Sequence, residues 1–132
     1  MKISQYATLI VILSSPQVAS ASDISKIALS GEKTMMWSYH SHNKDCQTSY
    51  GLVKVVSKPQ HGVVSHRLTN AHVDKDHYGR VITNKCAGAP IKGFEVDYRS
   101  VQGFHGTDTF TLDVTWNAGS KREIDNFTVN VR

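Results

Sequence analysis

"GFHGTDTFTLDV", residues 103–114, is the stretch whose reading decides the fold. Phe110, Leu112, Val114 and, one step further, Trp116 fall on one side of the chain. Thr109, Thr111, Asp113 and Thr115 fall on the other. A period of two is the pleat of a half-buried strand. Ahead of it, Gly103 and Gly106 let the backbone turn sharply, and Phe104 supplies apolar area to bury. Asp108 is placed to accept hydrogen bonds from nearby turn amides. His105 sits between the two glycines, so it reads as part of a turn rather than as a catalytic base.

The same period recurs on both sides. "NFTVNVR" (126–132) puts Phe127, Val129 and Val131 inward, and "NAGSK" (117–121) between the two runs is turn chemistry, so 109–131 predicts an antiparallel hairpin. Ile124 is out of step with Phe127, which predicts a bulge near Asp125 and Asn126. Upstream, "FEVDY" (94–98) points Phe94, Val96 and Tyr98 inward and Glu95 and Asp97 outward. "GLVKVVSKP" (51–59) and "VVSHRL" (63–68) flank a turn at Pro59-Gln60-His61-Gly62. "TMMWSYHSH" (34–42) places Met35, Trp37 and Tyr39 on one face, and "ISKIAL" (24–29) reads as an edge strand. No window carries a helical stripe. Residues 70–92, rich in Asn, Asp and Gly, read as a long loop with a short strand at 79–83. The fold class expected is all-β: an immunoglobulin-like sandwich of about seven antiparallel strands with one disulfide.

The N-terminus bounds the domain. Met1-Lys2, the apolar run Tyr6 to Leu13 and the small-x-small series Ala19-Ser20-Ala21 come in the order of a signal peptide. The expectation is a signal peptide over 1–21 and one domain over 22–132, in the periplasm or secreted. No cysteine follows the cleavage site directly, which argues against a lipid anchor. No later segment approaches the apolar length of a transmembrane helix. In an oxidising compartment Cys46 and Cys86 predict a disulfide. The competing reading, two thiolate metal ligands, lacks a C-x-x-C pair. The formal charge of +4 comes from scattered Lys and Arg, with no basic run of the kind that binds nucleic acid.

Three elements of the chain together resemble the bacterial immunoglobulin-like domains of the cadherin-like tandem-repeat type. Pro59, His61 and Gly62 match a Pro-x-His-Gly turn. Tyr98, Gly103, Phe104, Gly106, Asp108 and Phe110 match the turn that leads into a strand, and Val129 and Val131 match the closing strand. The resemblance spans roughly 52–132 and implies a sandwich; it says little about function. Ser100 stands where such domains usually have proline, the 69–92 insertion is longer than usual, and the cysteine pair is not part of the common pattern. Relatives of this type occur as arrays in surface adhesins, and a single copy does not make a stalk.

Candidate chemistry lies in the histidines. His40 and His42, two apart in a strand, share an outer face and can offer two imidazoles to Zn or Cu. His72, Asp74, Asp76 and His77 are the further ligands if the long loop folds over that face, giving His40, His42, His72 and His77 as the metal set. His61 is assigned to turn packing and His66 to solvent. Trp37 and Trp116 have the ring area to stack on sugars, but both fall on inward faces and read as core. The chain lacks a Gly-x-Ser-x-Gly elbow, a His-Glu-x-x-His pair and a phosphate loop. The reading is therefore no enzyme but a non-catalytic module binding a protein or cell-envelope glycan, without a cofactor. The candidate partner contacts are His72, Asp76, His77, Tyr78 and Arg80. The alternative is a periplasmic metal-binding protein.

Overall fold

Alternation along 106–116 is realised as the inner strand of a sheet. The computed structural model describes residues 19–76, 79–116 and 121–132. Its strands are β1 (Ser20–Ala28), β2 (Lys33–His40), β3 (Gly51–Ser57), β4 (Gly62–His72), β5 (Pro90–Ser100), β6 (Gly106–Trp116) and β7 (Lys121–Val131). They form two sheets, ordered β1-β7-β6-β3 and β2-β5-β4. This is the expected immunoglobulin-like β-sandwich, stapled by a Cys46–Cys86 disulfide. Among the described residues there is no helix, hence none long and apolar enough to cross a membrane.

One pairing departs from the all-antiparallel expectation. β1 is an edge strand, as read, but it runs parallel to β7, from Ser20 opposite Glu123 to Ala28 opposite Val131. Periodicity reports which side of a strand is buried and carries no information on its direction or its neighbour.

The β6–β7 hairpin keeps one register from Gly106 opposite Val131 to Trp116 opposite Lys121. The bulge expected at Asp125 and Asn126 is absent. Unbroken alternation turns Glu123 and Asp125 inward with Phe127, Val129 and Val131, and Ile124 outward. Register shifts occur instead in β3, between Val55 and Ser57, and in β2, between Met35 and Trp37. The extra residue resets the phase: Met36 is fully buried, Met35 is 52% exposed and Trp37 is half-buried. Two adjacent methionines hide such a phase change from a hydrophobicity reading.

The core joins Met36, Tyr39, Val96, Tyr98, Phe110, Leu112, Val114, Phe127 and Val129, with Val55, Phe94 and Phe104 partly buried against it. Phe110 and Phe127 stack with ring centroids 4.5 Å apart. On the other face of β5, Asp97 is buried rather than exposed, because Lys33 and Arg67 of the flanking strands reach over it (2.9 and 3.7 Å).

Asp108 ties the turns of the resemblance together. Its carboxylate accepts the N–H groups of Gln60 and His61 (both 2.9 Å), that of Thr109 (3.0 Å) and the Tyr98 hydroxyl (2.9 Å). Burial, the largest effect, raises its pKa, but the four donors together outweigh burial and hold it below the usual carboxylate value. Gly103 and Gly106 take positive φ (86° and 140°). His61 stacks on Phe104 at 4.2 Å, and His105 is exposed.

The long loop is shorter than its composition suggests. Asn70, Ala71 and His72 complete β4, and Pro90 opens β5, where its missing N–H is tolerated. The expected strand at 79–83 is a single bridge between Lys75 and Val81. What remains folds around the disulfide: Val73, Cys86 and Ile91 form a second small core with Cys46, Ala71, Ile82 and Ala89. Main-chain bonds close it, Val73 donating to Ala89 (3.0 Å) and Gly88 to Val73 (2.8 Å).

Candidate functional site

The end of the sandwich beside this loop is where polar side chains turn inward. β7 delivers Glu123 and Asp125, 7% and 3% exposed, to the inner face between the sheets. Opposite them, β2 delivers Tyr39, whose hydroxyl donates to Asp125 Oδ2 at 2.5 Å. Burial first, then the Asp125 carboxylate, pushes the Tyr39 hydroxyl far above the ordinary phenol range, so it stays a donor at any physiological pH. Lys121 Nζ lies 2.7 Å from Glu123 Oε1. The continuous register of β7 places Glu123 inside.

Beside these groups lies a cavity of about 520 Å³, lined by Trp37, Tyr39, His40, Trp116 and Glu123 and by Lys75, Asp76 and Ile82 of the loop. Its size falls in the range of small-molecule sites. Two wall residues carry buried polar atoms with no hydrogen-bond partner among the described residues, Trp116 Nε1 and His40 Nδ1. A buried, unpaired polar group costs about 1–3 kcal/mol; both atoms lie beneath the surface rather than open to the cavity. The half-buried Trp37 ring carries Lys26 Nζ 5.9 Å from its centroid.

The candidate residues distribute as follows. β2 ends at His40, so His40 and His42 do not share a strand face; His42 pairs as an isolated bridge with Thr48, and both histidines line the cavity. His72 lies elsewhere, at a second depression of about 490 Å³ with Thr48, Tyr50, Asn70 and Lys92. Among the described residues no group of three or more His, Cys, Asp or Glu is placed to hold a metal ion. Asp76 accepts from Arg80 Nε at 2.6 Å and from the Arg80 N–H at 3.0 Å, which shapes the loop tip. His77 and Tyr78, the 117–120 turn and most of the expected signal segment (1–18) lie outside the described residues. His66 is exposed, with its ring edge on Phe94 at 6.0 Å.

Sequence reasoning missed Tyr39, Asp125 and Glu123 as a group. The signal was present: alternation carried through "REIDNF" without interruption puts both acids inside. The bulge read at Asp125 and Asn126 interrupted that alternation. Trp116 was correctly read as inward, but not as the wall of a cavity.

The fold and the site define an all-β, disulfide-stapled sandwich with a cavity of mostly apolar lining at one end. No protein-family model matches the chain, and no curated protein or solved structure matches it either.

Proposed function

We propose that this chain is an exported, non-catalytic interaction module, an immunoglobulin-like domain of the cadherin-like type, whose disulfide-pinned end binds a cell-envelope glycan. The observation that carries the reading is the cavity of about 520 Å³, which the half-buried Trp37 lines together with His40, Lys75 and Asp76. Aromatic faces beside polar groups are the surface that a sugar ring recognises, and a loop held by a disulfide needs little ordering on binding. The contact residues within reach on the loop are Asp76 and Arg80, with His72 on the neighbouring depression. Nothing in this reading requires an activated nucleophile or a cofactor.

The test is co-sedimentation of the purified, oxidised domain with insoluble envelope polysaccharide, comparing wild type with a Lys75→Ala/Arg80→Ala variant. The wild type is expected in the pellet, and the variant with it to a smaller extent. A wild type that remains in the supernatant like an unrelated protein of equal charge overturns the proposal. A protein partner is the competing outcome, read from capture by the envelope protein fraction alone.

A second reading has one observation in its favour: His40 and His42 line the same cavity. Two imidazoles make a weak Zn or Cu site without further ligands. Calorimetric titration with either ion decides it, and no heat of binding removes it.

A further inference from the structure

We infer that the flank of the sandwich between β3 and β4 takes up an extended, acidic peptide segment of a partner protein, which pairs with the free edge of β3 as an added strand. None of the residues of β3 or β4 lines the cavity at the end of the sandwich, so this site stands apart from it and does not rest on the glycan reading.

Topology leaves the flank open. β3 and β4 are the outermost strands of their sheets. They share one flank, because β1 and β2, outermost at the other ends, touch each other. Among the described residues no strand pairs with the outer edge of β3 or β4. Leu68 lies opposite Phe94 and His66 opposite Val96, which puts both β4 side chains on the face toward the other sheet, where Phe94 and Val96 pack into the core. Yet Leu68 is 60% exposed, and His66 is exposed with its ring edge on Phe94. β3 therefore does not reach over them, and they form an open shelf. At one end the opening continues into the depression of about 490 Å³ beside Tyr50 and His72.

An added strand meets a receiving surface on both of its faces. Its inward side chains reach the shelf, and its outward ones lie beside Leu52, Lys54 and Val56. Leu52 and Val56 are 70% and 58% exposed. Edge strands are ordinarily blunted by charge, proline or a covering segment; β3 carries one lysine among exposed apolar side chains. The regular part of β3, 51–55, precedes its register shift at Ser57. Main-chain hydrogen bonds at such an edge give affinity, and the alternate side chains give selectivity.

Charge selects the occupant. Residues 46–73, which span both strands, contain no Asp or Glu, although they carry Lys54, Lys58, Arg67 and three histidines. Arg67 is held by Glu95 and Asp97. Asp113, opposite Lys54 in β6, is held by Arg122 at 2.7 Å. Lys54 and Lys58 are left outside the salt bridges of the described residues. A second copy pairing through the same edge would set these cations against each other, whereas a segment bearing Asp or Glu neutralises them.

The test titrates the oxidised domain with a synthetic peptide of about eight residues, the length of a strand, in which Val and Glu alternate. One counterpart has Lys in place of Glu. The other is the Val–Glu peptide N-methylated at every residue, which removes its main-chain donors. In a ¹H–¹⁵N correlation spectrum the amide resonances of 51–57 should shift saturably with the Val–Glu peptide, about tenfold more weakly with the Val–Lys peptide, and not with the methylated one. Lys54→Glu/Lys58→Glu should lose about tenfold in affinity for the Val–Glu peptide, and Leu68→Ser, which strips the shelf, should weaken it too. If the double variant fails to fold, Lys58→Glu, outside β3, carries the charge arm in the same direction. No saturable shift at 51–57, an equal response to the Val–Lys peptide, undiminished binding of the methylated peptide, or unchanged affinity in these variants overturns the inference. Shifts at 51–57 that grow with protein concentration alone mark a second copy and overturn it as well.

Discussion

Replacing Asp108 by asparagine tests the central structural argument, that one buried carboxylate couples two distant turns. The wild-type oxygens take four donors: the Gln60, His61 and Thr109 amides and the Tyr98 hydroxyl. An asparagine keeps one acceptor oxygen and turns an NH₂ group toward the remaining donors. Two donors lose their acceptor, each at about 1–3 kcal/mol, and the surviving bonds lose their charge assistance. The turn amides are only partly buried, so the lower half of that range applies, and the sum is about 3 kcal/mol. For a domain of this length that lowers the melting temperature by about 12–20 °C. Equilibrium unfolding in urea, with the disulfide intact, measures it as a shift in midpoint at unchanged slope. Tyr98→Phe removes one donor and leaves the carboxylate its other three partners, so it should cost about 1 kcal/mol. The pH dependence carries a second signature. Because the folded pKa of Asp108 is depressed, its contribution is fully present above the unfolded value of about 4 and is lost as pH falls through the folded value. The gap between wild type and Asp108→Asn should therefore be constant near neutrality and shrink below about pH 4. A variant within about 0.5 kcal/mol of wild type, the range of an ordinary surface change, would refute the clamp, as would a gap that ignores acid.

Other perturbations probe the remaining layers. Tyr39→Phe deprives the buried Asp125 of its hydroxyl donor and should destabilise by about 2 kcal/mol, the worth of a bond to a charged group, read by the same denaturant titration. Reducing Cys46–Cys86, or replacing both with serine, opens a loop of 40 residues; chain-entropy treatment puts the loss near 4 kcal/mol. Thermal melts with and without reductant should separate accordingly, and coincident melts would deny the staple its role. Phe110→Ala removes a ring stacked on Phe127 at the centre of the sandwich and should cost about 3–5 kcal/mol. Arg122→Ala, which breaks an exposed pair with Asp113, should leave the denaturant midpoint nearly unchanged.

Much of this architecture was legible in the order of residues. Strict alternation through Phe110, Leu112, Val114 and Trp116 told which side of β6 is buried, because the pleat makes side choice a local property. The turn residues around Gly103 and Pro59 marked where strands end, and two cysteines in a chain with an export-like start marked the staple. Tertiary structure decided what local pattern does not encode. The partner of a strand depends on residues far along the chain, so the parallel β1–β7 pairing and the reach of Asp108 to amides 47 and 48 positions away appear only when the sheets close. The β2 bulge was invisible because Met35 and Met36 are equally apolar. The inward turn of Asp125 depends on a distant strand that brings it the Tyr39 hydroxyl, whereas Glu123 meets Lys121 of its own strand. The cavity at that end is of the same kind: Trp116, His40 and Glu123 are separate signals along the chain, and they become one site because β2, β6, β7 and the disulfide-held loop converge there.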